Sequence, residues 1–181
     1  MKELSLHVLD LAQNSLRAEA KHVLISIKDS VSEDRLEIVI EDDGHGMDAD
    51  LLARVTEPFV TTRTTRKMGL GIPLFQMAAA LTGGRLEIDS TRGEGTVLRG
   101  IFVRSHIDAP PLGDMAETLV TLVQGAPDVD FFYRYETDTQ AVTFDTKEAR
   151  ELLEDVPLHT PDVLAFLRDH ITELTRSVET N

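Results

Sequence analysis

The chain has 181 residues, 41% of them hydrophobic and none of them cysteine, which is enough for a globular core and excludes disulfides, thiolate zinc sites and cysteine nucleophiles. Its formal net charge of -14 argues against nucleic acid or an anionic membrane as the main partner, because phosphate groups would be repelled over most of the surface. The sequence has no apolar run of membrane-spanning length and no cationic leader, so we expect a cytoplasmic protein.

The first half of the chain predicts alternating helices and strands. Apolar residues at helical spacing predict the first helix, and strict alternation predicts the strands after it. Asp10 and Asn14, four residues apart, stack on one side of that helix. Helices are predicted over 4–20, about 48–55 and from Gly71 to Gly83, with an irregular lid over 56–68, and strands over 22–28, 35–42, 85–89 and 95–103. This order predicts an α/β (α+β) two-layer sandwich with helices on one face of the sheet.

The second half predicts a smaller unit. The segment HIDAPPLGD after Ser105 holds two prolines and a glycine, which are typical of a linker. We therefore divide the chain into a domain over 1–104, a linker over 105–112 and a small C-terminal α+β domain over 113–181. Helices are predicted there over 113–124, about 147–154 and 161–177, and strands over about 129–136 and 140–145.

The last predicted helix carries an apolar stripe. It is formed by Val163, Phe166, Leu167, Ile171 and Leu174. Such a stripe covers the strands of its own domain or pairs with another chain, for instance in a homodimer. We favour the first interpretation, because apolar strands precede the helix.

Four short segments of the first half predict a nucleotide site: LDLAQNSLRA at 9–18, EDDGHGM at 41–47, EPFVTTR at 57–63 and MGLGIPL at 68–74. Binding ATP requires neutralising a triphosphate, placing its Mg²⁺ and recognising adenine. The side-chain oxygen of Asn14 is a hard neutral ligand of the kind that Mg²⁺ accepts, and Arg17, almost one turn on, could reach a phosphate. The alternative is that both residues merely belong to the polar face of an amphipathic helix.

The EDDGHGM segment ends the second strand in acidic residues and then places two glycines. Asp42 could accept a hydrogen bond from the exocyclic amine of adenine, while Gly44 and Gly46 let the backbone turn tightly beside a ligand. The alternative is an ordinary turn, in which Asp-Gly pairs are common. We interpret His45, between the glycines, as an exposed turn residue.

The MGLGIPL segment repeats the arrangement at the start of a helix. Free backbone N–H groups at Gly69 to Gly71 and the positive end of the helix dipole suit phosphates. Arg63, Arg66 and Lys67 form a basic cluster nearby in an acidic protein, which favours a pocket for a small polyanion; the alternative is a solvated loop. Neither a Walker A loop nor GxGxxG after a strand is present in the sequence.

In this order the four segments resemble the N, G1, F and G2 boxes of the GHKL or Bergerat ATP-binding fold. Sensor histidine kinases, anti-sigma-factor serine kinases, type II topoisomerases, large heat-shock chaperones and MutL-type repair proteins share that fold. The resemblance covers about residues 3–104, and residues 57–104 look most like the ATP-binding domain of a histidine kinase with a short lid. It implies that Asn14 holds Mg²⁺, that Asp42 recognises adenine and that Thr96, in GEGT, joins the hydrogen-bond network of Asp42.

The resemblance also implies a set of site residues. Asp10 stands where a Glu activates water in the topoisomerase and MutL group, and it is one methylene shorter, so we expect poor hydrolysis; Asp10 is the candidate catalytic residue. Mg²⁺ is assigned to Asn14. The candidate ATP-binding residues are Asn14, Arg17, Asp42, Gly44, Gly46, Met47, Thr61, Thr62, Arg63, Lys67, Gly69, Leu70, Gly71 and Thr96.

Two classes of function follow from ATP binding. The first is a stand-alone kinase, similar in domain content to anti-sigma kinases, that phosphorylates Ser, Thr or His on a protein partner. The second is a conformational switch or slow ATPase, in which nucleotide orders the lid and the C-terminal domain reports the change to a partner or a second copy. A third interpretation, an interaction module with degenerate boxes, would bind no nucleotide. We interpret His7, on the first helix, as a packing residue rather than a phosphoacceptor.

Overall fold

The structure, a computed structural model, describes residues 3–57, 70–154 and 156–179. The helices are α1 (Leu4–Arg17), α2 (Ala49–Arg54), α3 (Gly71–Leu81), α4 (Met115–Gly125), α5 (Thr146–Leu153) and α6 (Pro161–Glu179). The strands are β1 (His22–Ser30), β2 (Arg35–Asp42), β3 (Arg85–Thr91), β4 (Gly95–Val103), β5 (Asp130–Thr137) and β6 (Ala141–Asp145). None of these helices is both long and apolar enough to cross a membrane.

The strands form one mixed sheet in the order β3-β4-β2-β1-β5-β6. Neighbouring strands are antiparallel except β1 and β5, which are parallel. Asp42, the last residue of β2, lies opposite Val23 of β1 on one side and opposite Thr96 of β4 on the other. The sheet therefore holds Asp42 at one of its ends, between two neighbouring strands.

The hydrophobic core lies on one face of this sheet. Alternate residues of β1 and β2 face the core, and Ile25, Ile27, Ile38 and Ile40 are at most 1% exposed. α1 packs on β1 and β2, α3 packs on β3 and β4, and α6 packs on β5 and β6, while α4 contacts both α1 and α6. This arrangement confirms the predicted two-layer α/β class.

α1 ends at Arg17, before the predicted end at residue 20. Glu19 takes a φ of 61°, and the Ala20 N–H donates a hydrogen bond of 3.1 Å back to the Ser15 carbonyl. A left-handed residue just after a helix satisfies its last carbonyls and turns the chain. The turn buries Ala20 and sends the chain directly into β1.

The C-terminal segment extends the same sheet rather than forming a sheet of its own. β5 pairs with β1 along its length, and α4 packs against α1. The carbonyls of Pro111 and Leu112, in the predicted linker, accept hydrogen bonds from the backbone N–H groups of Leu4 at 3.0 Å and Ser5 at 2.7 Å. The predicted linker thus satisfies N–H groups in the first turn of α1. The division into a domain, a linker and a second domain stays a prediction.

The apolar stripe of α6 covers the chain's own core, as favoured from the sequence. Val163, Leu167 and Ile171 are 8%, 2% and 1% exposed, and the helix contacts α4, β5 and β6. Phe166 departs from the predicted stripe: it is 61% exposed and stacks on His170 with a centroid distance of 6.0 Å. The buried face of α6 is therefore narrower than the sequence pattern suggests.

Candidate functional site

The predicted site residues that the structure describes meet at the end of the sheet where β2 finishes. α1 supplies Asp10 and Asn14, β2 supplies Asp42, β4 supplies Thr96 and α3 begins at Gly71. These elements are far apart in the sequence, but the sheet order places β4, β2 and β1 side by side with α1 and α3 above them.

Asp42 is buried and fixed by two donors. The Ser15 hydroxyl donates to Asp42 Oδ2 at 2.6 Å, and the Gly44 backbone N–H donates to Asp42 Oδ1 at 3.0 Å. The residue is only 8% exposed. Each carboxylate oxygen can accept more than one hydrogen bond, so the side chain is held in place and can still accept one from a ligand.

Ser15 is a site residue that sequence reasoning missed. It follows Asn14 directly and is 2% exposed on the core side of α1. A serine on the buried side of an amphipathic helix is a signal, because a buried hydroxyl needs a hydrogen-bond partner. The sequence shows the serine but not its partner, which lies 27 positions along the chain.

Thr96 lies opposite Asp42 in the sheet, but its hydroxyl has a different partner. Thr96 Oγ1 and Ser90 Oγ form a hydrogen bond of 2.9 Å. The Met47 backbone N–H donates a second hydrogen bond of 2.9 Å to Ser90 Oγ. Among the described residues, no side-chain hydrogen bond joins Thr96 to Asp42. Ser90, which was not predicted as a site residue, therefore links Met47 to Thr96. That Thr96 joins the hydrogen-bond network of Asp42 stays a prediction.

The two glycines after Asp42 pack against the protein itself. A Cβ on Gly44 would lie 2.7 Å from Ala18 Cβ, and a Cβ on Gly46 would lie 2.0 Å from the Thr91 carbonyl oxygen. Gly46 also has a φ of 62°, which favours glycine. Both glycines let the loop close tightly on α1 and on the β3–β4 turn. The absence of side chains at Gly44 and Gly46 thus allows close packing within the protein. His45, between them, is exposed, as predicted.

The start of α3 lies against the polar side of α1. A Cβ on Gly71 would lie 2.1 Å from Asp10 Oδ2 and 3.7 Å from Asn14 Nδ2. Leu70, the N-cap residue, makes no side-chain hydrogen bond to the first N–H groups of α3. These N–H groups form the positive end of the helix dipole. A carboxylate, an amide and a helix N-terminus therefore converge at one point.

Asn14 has a side-chain oxygen of the kind that Mg²⁺ accepts as a ligand. Its Oδ1 accepts a hydrogen bond of 2.7 Å from Arg17 Nη1, so the oxygen already faces a positive charge. In the described ranges no group of three His, Cys, Asp or Glu side chains gathers as a self-sufficient metal site. Mg²⁺ in nucleotide sites commonly takes one or two protein ligands together with phosphates and water, so the residues present fit the ion.

His7 is a packing residue, as the sequence analysis interpreted it. It is 2% exposed, and its ring centroid lies 5.7 Å from that of Phe75. Burial lowers the pKa of His7, and Asp10 opposes part of that shift. Its Nδ1 has no hydrogen-bond partner among the described residues.

Five predicted site residues, which come from the lid and its end, lie outside the described residues. They are Thr61, Thr62, Arg63, Lys67 and Gly69. Their predicted contacts with phosphate stay predictions.

Comparison with known proteins extends the resemblance seen in the four segments. Residues 2–106 match the family model described as "Histidine kinase-, DNA gyrase B-, and HSP90-like ATPase". A putative sensor protein of Shewanella frigidimarina is 35% identical over 103 residues, which span 56% of this chain and 16% of that protein. Sensor protein kinase FleS of Pseudomonas aeruginosa is 34% identical over 110 residues, which span 61% of this chain and 27% of that protein. The match thus covers only a minor part of each relative.

A solved structure supports the fold alone. The crystal structure of the N-terminal domain of a DNA repair protein superposes with a TM-score of 0.51 at 16% sequence identity, covering 79% of this chain and 52% of that one.

Proposed function

Because the chain belongs to the family of histidine kinase-, DNA gyrase B- and HSP90-like ATPases and carries an ATP-binding, kinase-like domain, we propose that it is a stand-alone protein kinase. It transfers the γ-phosphoryl group of ATP to Ser, Thr or His on a separate protein partner. The acidic surface favours a protein over nucleic acid or an anionic membrane as that partner, and we place the reaction in the cytoplasm.

The convergence of Asp10, Asn14 and the start of α3 carries this proposal. The space that a Cβ on Gly71 would need is taken by Asp10 Oδ2, 2.1 Å away. A phosphate bound at the α3 N-terminus would therefore lie beside a carboxylate that can accept a proton and an amide oxygen that can bind a cation.

Each residue at this point has a separate task. Asp42, fixed by Ser15 and Gly44, accepts a hydrogen bond from the exocyclic amine of adenine. Asn14 would hold Mg²⁺, which would supply positive charge to offset that of the phosphates. Arg17 would turn from Asn14 Oδ1 to a phosphate, because its guanidinium and Mg²⁺ would repel each other at one oxygen. Asp10 accepts the proton of the hydroxyl or imidazole that receives the phosphoryl group.

The relatives support kinase chemistry over other uses of the fold. One of them is named as a sensor protein kinase, and its match covers 61% of this chain. His7 does not serve as an internal phosphoacceptor in this proposal, because it is 2% exposed and packs on Phe75. We therefore place the phosphoacceptor of this proposal on a partner protein.

A second candidate function, a switch or slow ATPase, is favoured by one observation. Pro111 and Leu112 bond directly to the first N–H groups of α1, the helix that carries Asp10 and Asn14. A movement of α1 on nucleotide binding would therefore reach the C-terminal segment without any transfer of phosphate.

Labelling with radioactive ATP separates these functions. The purified chain is incubated with Mg²⁺, γ-labelled ATP and the proteins that co-purify with it. A kinase labels a partner, loses this with Asn14→Ala and keeps it with Gln13→Ala, a matched change at the neighbouring polar position on the same helix. ATP binding with changed amide exchange at Leu4 and Ser5 but no labelled protein would favour the switch. If the wild type binds no ATP, both proposals fail.

A further inference from the structure

A cavity of about 310 Å³ lies away from the nucleotide site. Its lining includes Asp29, Leu36, Phe102, Arg104, Pro111 and Tyr135. In the β1–β2 hairpin, Asp29 pairs with Leu36, whereas Val23 pairs with Asp42. At about 3.3 Å per strand residue, six residues along β1 separate the cavity from Asp42 by about 20 Å. The cavity and the nucleotide site therefore lie at opposite ends of the sheet.

The cavity carries two opposite charges side by side. Arg104 Nε donates a hydrogen bond of 2.5 Å to Asp29 Oδ1. That bond, together with the charge of Asp29, raises the pKa of Arg104, so the guanidinium stays protonated. The guanidinium has five N–H donors, and the bond to Asp29 uses a single one of them. The remaining donors can form a paired hydrogen bond to a carboxylate.

The rest of the wall is apolar and firmly packed. Phe102 and Tyr135 are 1% and 2% exposed, and Leu36 is half-buried. Pro111 is fixed from behind, because its carbonyl accepts the Leu4 N–H at 3.0 Å. The volume of the cavity is at the lower end of pockets that take small molecules.

From these groups we infer that the cavity binds a free α-amino acid with an apolar side chain. The carboxylate of the amino acid pairs with Arg104, its ammonium group pairs with Asp29, and its side chain packs against Leu36 and Pro111. An α-amino acid carries both charges on one carbon, which matches two opposite charges that are already in contact.

Ligands with a single charge fit the cavity less well. A simple carboxylate would meet Asp29 with no ammonium group to offset its charge. A simple amine would meet the permanently charged Arg104. The ligand displaces part of the Asp29–Arg104 pair. It therefore needs a carboxylate for Arg104 and an ammonium group for Asp29, so that neither charge is left unpaired.

Calorimetric titration of the full chain tests the inference. The probes are L-leucine, L-methionine, L-valine and L-phenylalanine, with 4-methylpentanoate and 3-methylbutylamine as leucine analogues that lack the ammonium and the carboxylate. We expect at least one amino acid to bind, and we expect each analogue of leucine to bind about tenfold more weakly or worse than leucine, in line with the loss of one charge-assisted hydrogen bond.

Two variants locate the binding. Arg104→Gln is expected to weaken amino-acid binding about tenfold, as is Ala109→Phe, which fills the cavity without removing a charge. Arg99→Gln is the matched control, since Arg99 is 45% exposed against 42% for Arg104 and pairs with Glu37 on another part of the sheet. ATP binding is expected to persist in all three, which separates this test from that of the kinase.

Three results would overturn the inference. They are the absence of binding by all four amino acids, equal binding of leucine and either analogue, and unchanged binding in both Arg104→Gln and Ala109→Phe variants that keep the circular dichroism of the wild type.

Discussion

The hydroxyl of Ser15 donates a hydrogen bond of 2.6 Å to Oδ2 of Asp42, and it joins the last turn of α1 to the end of β2. Ser15→Ala should weaken ATP binding roughly 5-fold to 10-fold and reduce the free energy of unfolding by about 1 kcal/mol, because the buried carboxylate loses a donor. Titration with ATP and urea unfolding measure the two effects. Ser5→Ala, at another buried serine of α1, should leave ATP affinity unchanged; equal affinity in both variants would refute a role for Ser15.

Asp42→Asn should reduce ATP affinity by about 10-fold to 100-fold, the usual cost of losing a hydrogen bond to a charged acceptor. The amide also presents N–H donors where the adenine amine donates. Asp43→Asn removes the same charge one residue later, from a side chain that bonds to the Lys21 and His22 backbone, and it should spare ATP binding. If both variants bound ATP like the wild type, Asp42 would not recognise adenine.

Gly71→Ala should lower phosphate transfer about 100-fold, because its Cβ would lie 2.1 Å from Asp10 Oδ2 and the carboxylate must move away. Steady-state rates with saturating ATP measure the loss. Gly125→Ala is the control: it has nothing within 4 Å of the added Cβ and should keep full activity. If the Gly71→Ala variant transferred phosphate at the normal rate, Asp10 would have no part in the reaction.

The stability of the protein should fall as the pH drops below the ordinary histidine pKa of 6.5, because burial lowers the pKa of His7 in the folded state. The unfolded chain then binds a proton that the folded chain resists, so the stabilisation present above pH 6.5 is lost as the pH approaches the folded pKa. Asp43 also has a lowered pKa, since hydrogen bonds from His22 and Lys21 outweigh the effect of burial, but its contribution is lost only below its ordinary value of 3.8. Urea unfolding at several pH values should show a flatter profile for His7→Leu; identical slopes would contradict the assignment.

Phe131→Ala should destabilise the whole chain by about 3–5 kcal/mol, because Phe131 is fully buried in β5 beside β1. Since β1 to β6 share one sheet, we expect a single unfolding transition that the substitution moves as a unit. Phe166→Ala, at a phenylalanine that is 61% exposed, should cost little. Two separate transitions, with the substitution shifting only one, would support independent domains instead.

Local patterns predicted the elements well and their long-range contacts poorly. The alternation of apolar and polar residues predicts β1 and β2, and the glycines predict the start of α3, because those patterns are contained in a few neighbouring residues. The partner of Ser15 lies on another element, and the role of Gly44 depends on Ala18 behind it, so neither could be seen in the sequence. The end of α1 was also missed, since Glu19 is not a residue that favours the left-handed conformation.

The parallel pairing of β1 with β5 has a practical consequence for anyone trimming this protein. The family match ends at residue 106, before β5 begins, so a fragment cut there would leave the backbone groups of β1 that face β5 without partners. An open, apolar edge of this kind recruits strands from other molecules. Such a fragment should therefore aggregate, even though it would keep every described side chain proposed to touch ATP.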